Sequence, residues 1–143
     1  MQRTLSIVKP DAVAAGHLGS ILVALESSGL KIVAGRLVHM TPESAAKFYS
    51  VHEGKPFFER LVSFMSSGPC FAQVLEGDDA VARNRALMGA TNPQEAAEGT
   101  LRKQFAESMS RNAVHGSDSP ENALTEIAHF FEGEDIVSYE RLT

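Results

Sequence analysis

Four strand-like stretches separated by helical sequence constrain this chain more than any other feature. Leu5-Ser6-Ile7-Val8-Lys9 alternates apolar and polar residues like a half-buried strand, and Pro10 ends it, so Lys9 stands at a strand end. Leu30 to Met40, rich in β-branched and aliphatic residues, reads as a second strand with Gly35 as a bulge or close approach. Cys70 to Leu75 is a third strand, and Ala113-Val114 a short fourth. Between them, Leu18, Ile21, Leu22 and Leu25 follow helical spacing that Gly29 closes. Thr41-Pro42-Glu43 starts a helix running to about Tyr49, on which Lys47 reads as an exposed charge. After Pro56, the apolar set Phe57, Phe58, Leu61, Val62 and Met65 makes the second helix of a helical hairpin. Gly77-Asp78-Asp79 is a turn with a cap, Ala80 to Met88 a helix, and Gly89 its stop. A last helix follows Ser119, with Leu124, Ile127 and Phe131 expected on its buried face. Strands alternating with single helices or helix pairs indicate an α/β sandwich, one small sheet with helices packed against it; the order alone leaves strand direction open.

A chain of 143 residues suits one domain, residues 1–143, able to bury roughly two thirds of its unfolded surface. No apolar run approaches the ~20 residues of a membrane span. Met1-Gln2-Arg3-Thr4 leads straight into strand-like sequence without an apolar signal region, which fits a cytoplasmic protein. The single cysteine, Cys70, cannot form an intrachain disulfide, and its apolar surroundings make it a small buried hydrophobe. Thirteen Lys and Arg against eighteen Asp and Glu give a net charge of -5, which argues against a broad nucleic-acid footprint. A polyphosphate ligand would therefore need a few convergent basic residues against an acidic background. The five histidines and the cysteine show no zinc spacing.

The segment from Asn112 to Pro120 sets His115 at the end of a short apolar run, immediately before a helix start. Ser119 can cap that helix, Pro120 fits its first position, and Glu121 suits the positive end of the dipole, so N–H groups are expected beside His115 where an anion would bind. An imidazole there is suited to attack a phosphoryl group and hold it transiently. The stretch from Ala90 to Asn112 has little periodicity beyond a short turn near Thr100 to Phe105, and a loop of that length in a compact domain is usually functional.

These residues resemble the nucleoside diphosphate kinase family. Asn112-x-x-His115-Gly116-Ser117-Asp118-Ser119 is similar to the family's active-site motif, and Arg3-Thr4-Leu5 through Lys9-Pro10-Asp11-Ala12-Val13 resembles its N-terminal signature. Gly16-x-x-Gly19-x-Ile21, Pro56-Phe57-Phe58, Ser67-Gly68-Pro69, Gly89-Ala90-Thr91-Asn92-Pro93 and Gly99-Thr100-Leu101-Arg102 occur in family order, so the likeness runs from Arg3 to about Phe131. It implies a ferredoxin-like sandwich of α+β class: a four-stranded antiparallel sheet covered by helices, with an inserted helical hairpin. It also implies transfer of a terminal phosphate from a nucleoside triphosphate, typically ATP, to a nucleoside diphosphate. His115 would be the nucleophile, with Ser117 and Glu126 beside it, Glu126 fixing the ring through its far nitrogen. Lys9, Arg85 and Arg102 match the family's basic residues; Thr91 would contact phosphate, Lys9 and Asn112 would hold ribose hydroxyls, and Tyr49 would support the site through its hydroxyl. Phe57 would stack on the base without reading its edges, hence broad base specificity. Magnesium would bridge nucleotide phosphates, in keeping with the absence of a carboxylate cage.

Ser20 stands where the family commonly has an acidic residue, and Met109 lies at a variable position. The short C-terminus suggests a homo-oligomer, a tetramer assembled from dimers, with dimer and hexamer as alternatives; no membrane or specific nucleic-acid partner is expected. Two other readings compete. A non-catalytic nucleotide-binding module of the same fold would be expected to lose the nucleophile, yet His115, Lys9 and Arg102 are all present. A nucleic-acid-binding protein would need interleaved aromatic and basic residues, which this chain lacks.

Overall fold

Seven residues from Gln2 to Val8 form β1, and from Thr4 onward every one of them is buried on both faces. That double burial follows from its place in the sheet. The computed structural model describes residues 1–142, and its sheet has the order β2-β3-β1-β4, with β2 (Lys31–Val38), β3 (Cys70–Gly77) and β4 (Val114–Gly116). All three pairings are antiparallel, which settles the strand direction that periodicity left open. The ferredoxin-like sandwich implied by the family resemblance is the fold observed.

Alternate residues of β1 serve different cores. Leu5 and Ile7 face a cluster built with Ala45, Ala123, Ile127 and Phe130, whereas Val8 faces one built with Leu25, Ala80, Met88 and Leu101. On the first side lie α3 (Pro42–Phe48), α4 (Phe58–Met65) and α7 (Pro120–Phe130); on the second lie α2 (Leu18–Ser27), α5 (Ala80–Met88) and α6 (Leu101–Phe105). Because β4 is an edge strand, helices from both faces meet beyond its rim. That meeting place is where the site forms.

Several starts and stops are those the residues dictate. The hydroxyls of Thr41, Thr100 and Ser119 accept from the N–H groups of Ser44, Lys103 and Asn122, as N-caps do. Pro10 ends β1 but also opens a short helix, α1 (Pro10–Ala14), that the sequence does not announce. Gly35 proves to be a close approach rather than the bulge: a Cβ there would lie 2.7 Å from the Phe71 ring, while the register shift falls between Ile32 and Ala34. One expectation is overturned. Leu124 is 73% exposed, whereas Ile127 and Phe131 are buried as expected, and Ala123 and Phe130 complete the buried stripe. Alanine at the inward position hides that stripe from a reading based on large side chains.

Candidate active site

His115 is the middle residue of β4, paired with Ile7, so its side chain points to the face opposite Val114 and Gly116. Gly116 on the other face has no room for a side chain, because a Cβ would lie 2.4 Å from Asn84 Nδ2 and 2.6 Å from Met88 Sδ of α5. Helix α5 thus packs hard against the strand end and brings Arg85 to its rim, where Nη1 donates to the Gly116 carbonyl at 3.2 Å.

A directed chain of hydrogen bonds fixes the imidazole. The Leu5 N–H donates to Ser117 Oγ at 3.2 Å, the Ser117 hydroxyl donates to Glu126 Oε1 at 2.9 Å, and His115 Nε2 lies 2.8 Å from the same oxygen. With Glu126 as carboxylate, Nε2 carries the hydrogen and Nδ1 keeps its lone pair. Phe48 and Tyr49 flank the ring edge-on, with centroids 5.4 and 6.2 Å away. The expected second layer of Ser117 and Glu126 is therefore in place. The Tyr49 hydroxyl is buried without a hydrogen-bond partner, and burial pushes its ionisation well above the ordinary phenol range; its ring, rather than its hydroxyl, is what meets His115.

The backbone leading into β4 is strained in a way that serves the site. Ala113 is buried with φ of 72°, a left-handed conformation rare for a residue with a side chain. Three bonds hold it there: its N–H to Asp11 Oδ2 at 3.1 Å, its carbonyl to the Lys9 N–H at 2.8 Å, and the tight Val114 N–H to Asn112 carbonyl bond at 2.8 Å. The turn sets Asn112 against Lys9, whose Nζ donates to Asn112 Oδ1 at 2.8 Å. Burial, together with the charge of Arg102 and against that of Asp11, lowers the Lys9 pKa to about 8.

Arg102 is 7% exposed and is aimed by three backbone carbonyls: Nη1 to Gly89 at 3.0 Å, Nη2 to Val114 at 2.9 Å and Nε to Asn112 at 3.4 Å. A guanidinium has about five N–H donors, so donors remain for an incoming anion. Burial, then the neighbouring charge of Arg85, lowers its pKa to about 10, which leaves it cationic at neutral pH.

A cavity of about 600 Å³ opens above His115, within the range of small-molecule sites. Arg85, Arg102, His115 and Glu126 line it, with Tyr49 and His52 from the hairpin side. Lys9 and Asn112 form a buried pair behind this wall, Thr91 is exposed on the loop after α5, and Phe57 lies at the outer margin, 38% exposed, with its ring 5.3 Å from that of His52. Of the expected residues, the structure gathers His115, Arg85 and Arg102 at the cavity, while Lys9, Asn112, Thr91 and Phe57 are not part of its lining. Two details differ from the sequence reading. Helix α7 meets the cavity along its flank, through Asn122, Thr125, Glu126 and His129, rather than with its N–H end, and the fixed positive charge comes from side chains, Arg85 and Arg102 beside His115 and Lys47 on the wall. Lys47 is exposed, as expected, but belongs to the cavity wall. Phe48 and His129 were not legible as site residues; the i, i+3 spacing of His129 from Glu126 is the signal that could have found the latter.

An imidazole with one nitrogen tied to a carboxylate and the other free, beneath two arginines at a sheet edge, defines a group-transfer site for an anionic substrate on a ferredoxin-like sandwich. Comparison with known proteins narrows this class. The family model described as nucleoside diphosphate kinase matches residues 2–136. A nucleoside diphosphate kinase of Halorhodospira halophila is 59% identical over 138 residues, covering 96% of this chain and 98% of the relative, and one of Chlamydia felis is 56% identical over the same shares. Among solved structures, the Aquifex aeolicus nucleoside diphosphate kinase has a TM-score of 0.94 at 49% identity, covering 95% of this chain and 99% of that one. The halophilic nucleoside diphosphate kinase of Halobacterium salinarum, in complex with CDP, has a TM-score of 0.94 at 45% identity, covering 98% and 93%. The chain belongs to the nucleoside diphosphate kinase family.

Proposed function

We propose that the protein moves the terminal phosphate of a nucleoside triphosphate, typically ATP, to a nucleoside diphosphate through a phosphohistidine on His115, each nucleotide using the one site in turn. The observation that carries this reading is the division of labour on one ring: Nε2 bound to Glu126 at 2.8 Å, Nδ1 left with its lone pair at a cavity lined by Arg85 and Arg102. In the forward half-reaction Nδ1 attacks the terminal phosphorus of the triphosphate and the bond from phosphorus to the bridging oxygen breaks, releasing diphosphate; the second half-reaction reverses this onto another diphosphate. Glu126 stabilises the positive charge that the ring acquires when Nδ1 bonds to phosphorus. Arg85 and Arg102 oppose the charge that spreads over the phosphoryl oxygens, and they are aimed beforehand, so little reorganisation is required.

Lys9, Asn112 and Thr91 are assigned to the sugar and phosphates and Phe57 to the face of the base. The CDP complex of the Halobacterium relative supports a nucleotide as ligand. Among the described residues no cluster of three or more His, Cys, Asp or Glu could hold a metal by itself. Of the carboxylates at the cavity, Glu126 is engaged by His115 and Ser117, leaving Asp118. That donor set fits a magnesium ion held chiefly by nucleotide phosphates, where it would neutralise their charge. We read residues 1–143 as one kinase domain acting in the cytoplasm as a homo-oligomer, a tetramer assembled from two dimers. No helix among the described residues is long and apolar enough to cross a membrane. Light scattering at micromolar concentration tests the assembly, and a monomer mass would refute it.

Incubation with γ-labelled ATP tests the mechanism. Label attached to the protein in an acid-labile, base-stable form, and released by any added nucleoside diphosphate, is the expected result. Absence of labelling in active protein would exclude the covalent route.

A further inference from the structure

The hydrogen bond to Glu126 fixes one end of the His115 ring and leaves rotation about that axis to be restrained by packing. Tyr49, on one flank, is a core residue, 6% exposed, and is rigid by burial. Phe48, on the other flank, is only half-buried and stands at the cavity wall, so it needs support of its own. Two rings of α7 give it: Phe130 at 5.3 Å and His129 at 5.3 Å, the latter edge-on at 68°. His129 in turn is anchored, because its Nε2 lies 3.0 Å from the Ser44 hydroxyl one turn before Phe48 on α3. Neither His129 nor Ser44 makes a hydrogen bond to His115 or Glu126 among the described residues.

We propose that His129 is a positioning residue for phosphoryl transfer: its ring, oriented by Ser44, braces Phe48 against His115 and so keeps Nδ1 aimed at the incoming phosphorus. The inference rests on His115 being the nucleophile. Its physical basis is that attack requires the reacting atoms in line and close together, and that displacement of about 1 Å can cost on the order of a hundredfold in rate. A brace two contacts away produces a smaller displacement and a smaller loss. Burial, and after it the charge of Lys47, holds the His129 imidazole below its ordinary pKa, so near neutral pH it packs as an uncharged ring. What it braces is orientation rather than nucleotide binding; the expected signature is a change in kcat with KM preserved.

The test compares His129→Ala, His129→Phe and His129→Gln in steady-state turnover and in single-turnover labelling by γ-labelled ATP. His129→Ala and His129→Gln, which remove the ring, should lower kcat and the labelling rate about fivefold with KM for both nucleotides within twofold of wild type. His129→Phe, which keeps a ring against Phe48, should recover most of the rate, and Ser44→Ala should cost less than about twofold. In a Phe48→Leu background His129→Ala should add little, since the brace has nothing left to hold. The imidazole resonances of His115 in wild type and His129→Ala report its environment directly and should shift or broaden. Labelling of His129→Ala at the wild-type rate, a defect confined to KM, or an undiminished loss in the Phe48→Leu background would each overturn the proposal. A wild-type protein that takes up no label would instead overturn the phosphohistidine reading on which it stands.

Discussion

The two ends of the cavity are built on different plans. At the phosphate end, Arg102 is buried and held by three backbone carbonyls, Lys9 is buried against Asn112, and the backbone between them is locked in a left-handed turn at Ala113. At the base end, Phe57 is 38% exposed and Val51 is 78% exposed, and the neighbours of Phe57 are His52 and the Lys55 ammonium, 5.9 Å from its ring. In the proposed reading, the groups assigned to the part common to all nucleotides are pre-aimed at a cost in strain and desolvation. Phe57, assigned to the variable part, is partly open to solvent and offers the face of a ring. On that assignment catalytic power and substrate breadth are separable, because rigid electrostatics are confined to atoms every substrate shares.

Removing the nucleophile is the severest test of the phosphate end. His115→Ala should abolish labelling and lower kcat by at least about four orders of magnitude, since a residue forming a covalent intermediate has no substitute. The fold should survive, because His115 is partly exposed and lines a cavity rather than a core. Retained labelling in folded protein would move the nucleophile, and His52, also on the cavity wall, would be examined first.

Next in size is the loss of pre-aimed charge. Arg102→Ala should reduce kcat/KM by at least about tenfold, equivalent to ~1.4 kcal/mol of transition-state stabilisation. It should also lower thermal stability, because the Gly89, Val114 and Asn112 carbonyls lose their donor. Arg85→Ala, with a single backbone bond at 3.2 Å, should affect activity without a comparable stability loss. Equal stability losses for the two would break the picture of one anchored and one free arginine.

Lys9 adds a pH signature. Its pKa is lowered from 10.5 to about 8, so above that pH the folded protein holds fewer protons than the unfolded chain. The contribution of this group to stability therefore rises with pH between about 8 and 10.5, while activity that needs its charge falls as pH passes about 8. A profile of kcat/KM, which reports free-enzyme ionisations, should show an alkaline limb near pH 8 that Lys9→Gln removes along with most of the activity remaining below it. A limb unchanged in the variant would assign it to another group.

Much of this was legible beforehand because it rests on local signals. Proline, glycine and hydroxyl caps mark the helix boundaries, and the collinear motifs from Lys9 to Ser119 carry the family resemblance. What escaped depends on pairings distant in sequence. Strand direction requires the register of Ile7 with His115 and Ala72, which no single segment encodes. The buried stripe of α7 includes Ala123, whose small side chain carries little hydrophobic signal, so spacing of large apolar residues points to the exposed Leu124 instead. Lys47, Phe48 and His129 joined the cavity wall only because α3 and α7 converge past an edge strand. A lone charge and a lone ring on amphipathic helices give no hint of that.

The mildest perturbation addresses the loose end of the comparison. Phe57 sits at the residue before α4 with its ring partly open to solvent, with the His52 ring 5.3 Å and the Lys55 ammonium 5.9 Å from its own. An aromatic face attracts any nucleobase through dispersion and surface burial, at about 1–3 kcal/mol per stacked base. A ring that is already 38% exposed belongs at the low end of that range, because part of its surface stays wet when the base arrives. Phe57→Ala should therefore lower kcat/KM by about fivefold, ~1 kcal/mol, for ADP, GDP, CDP and TDP alike with one fixed donor. The loss should appear mainly in KM, since the ring acts on binding and lies away from the reacting phosphorus. Purines should lose somewhat more than pyrimidines in proportion to stacked area. A defect confined to one base, or a wild-type preference of several thousandfold for one nucleotide, would require a hydrogen-bond reader at this end and would erase the difference between the two halves of the cavity.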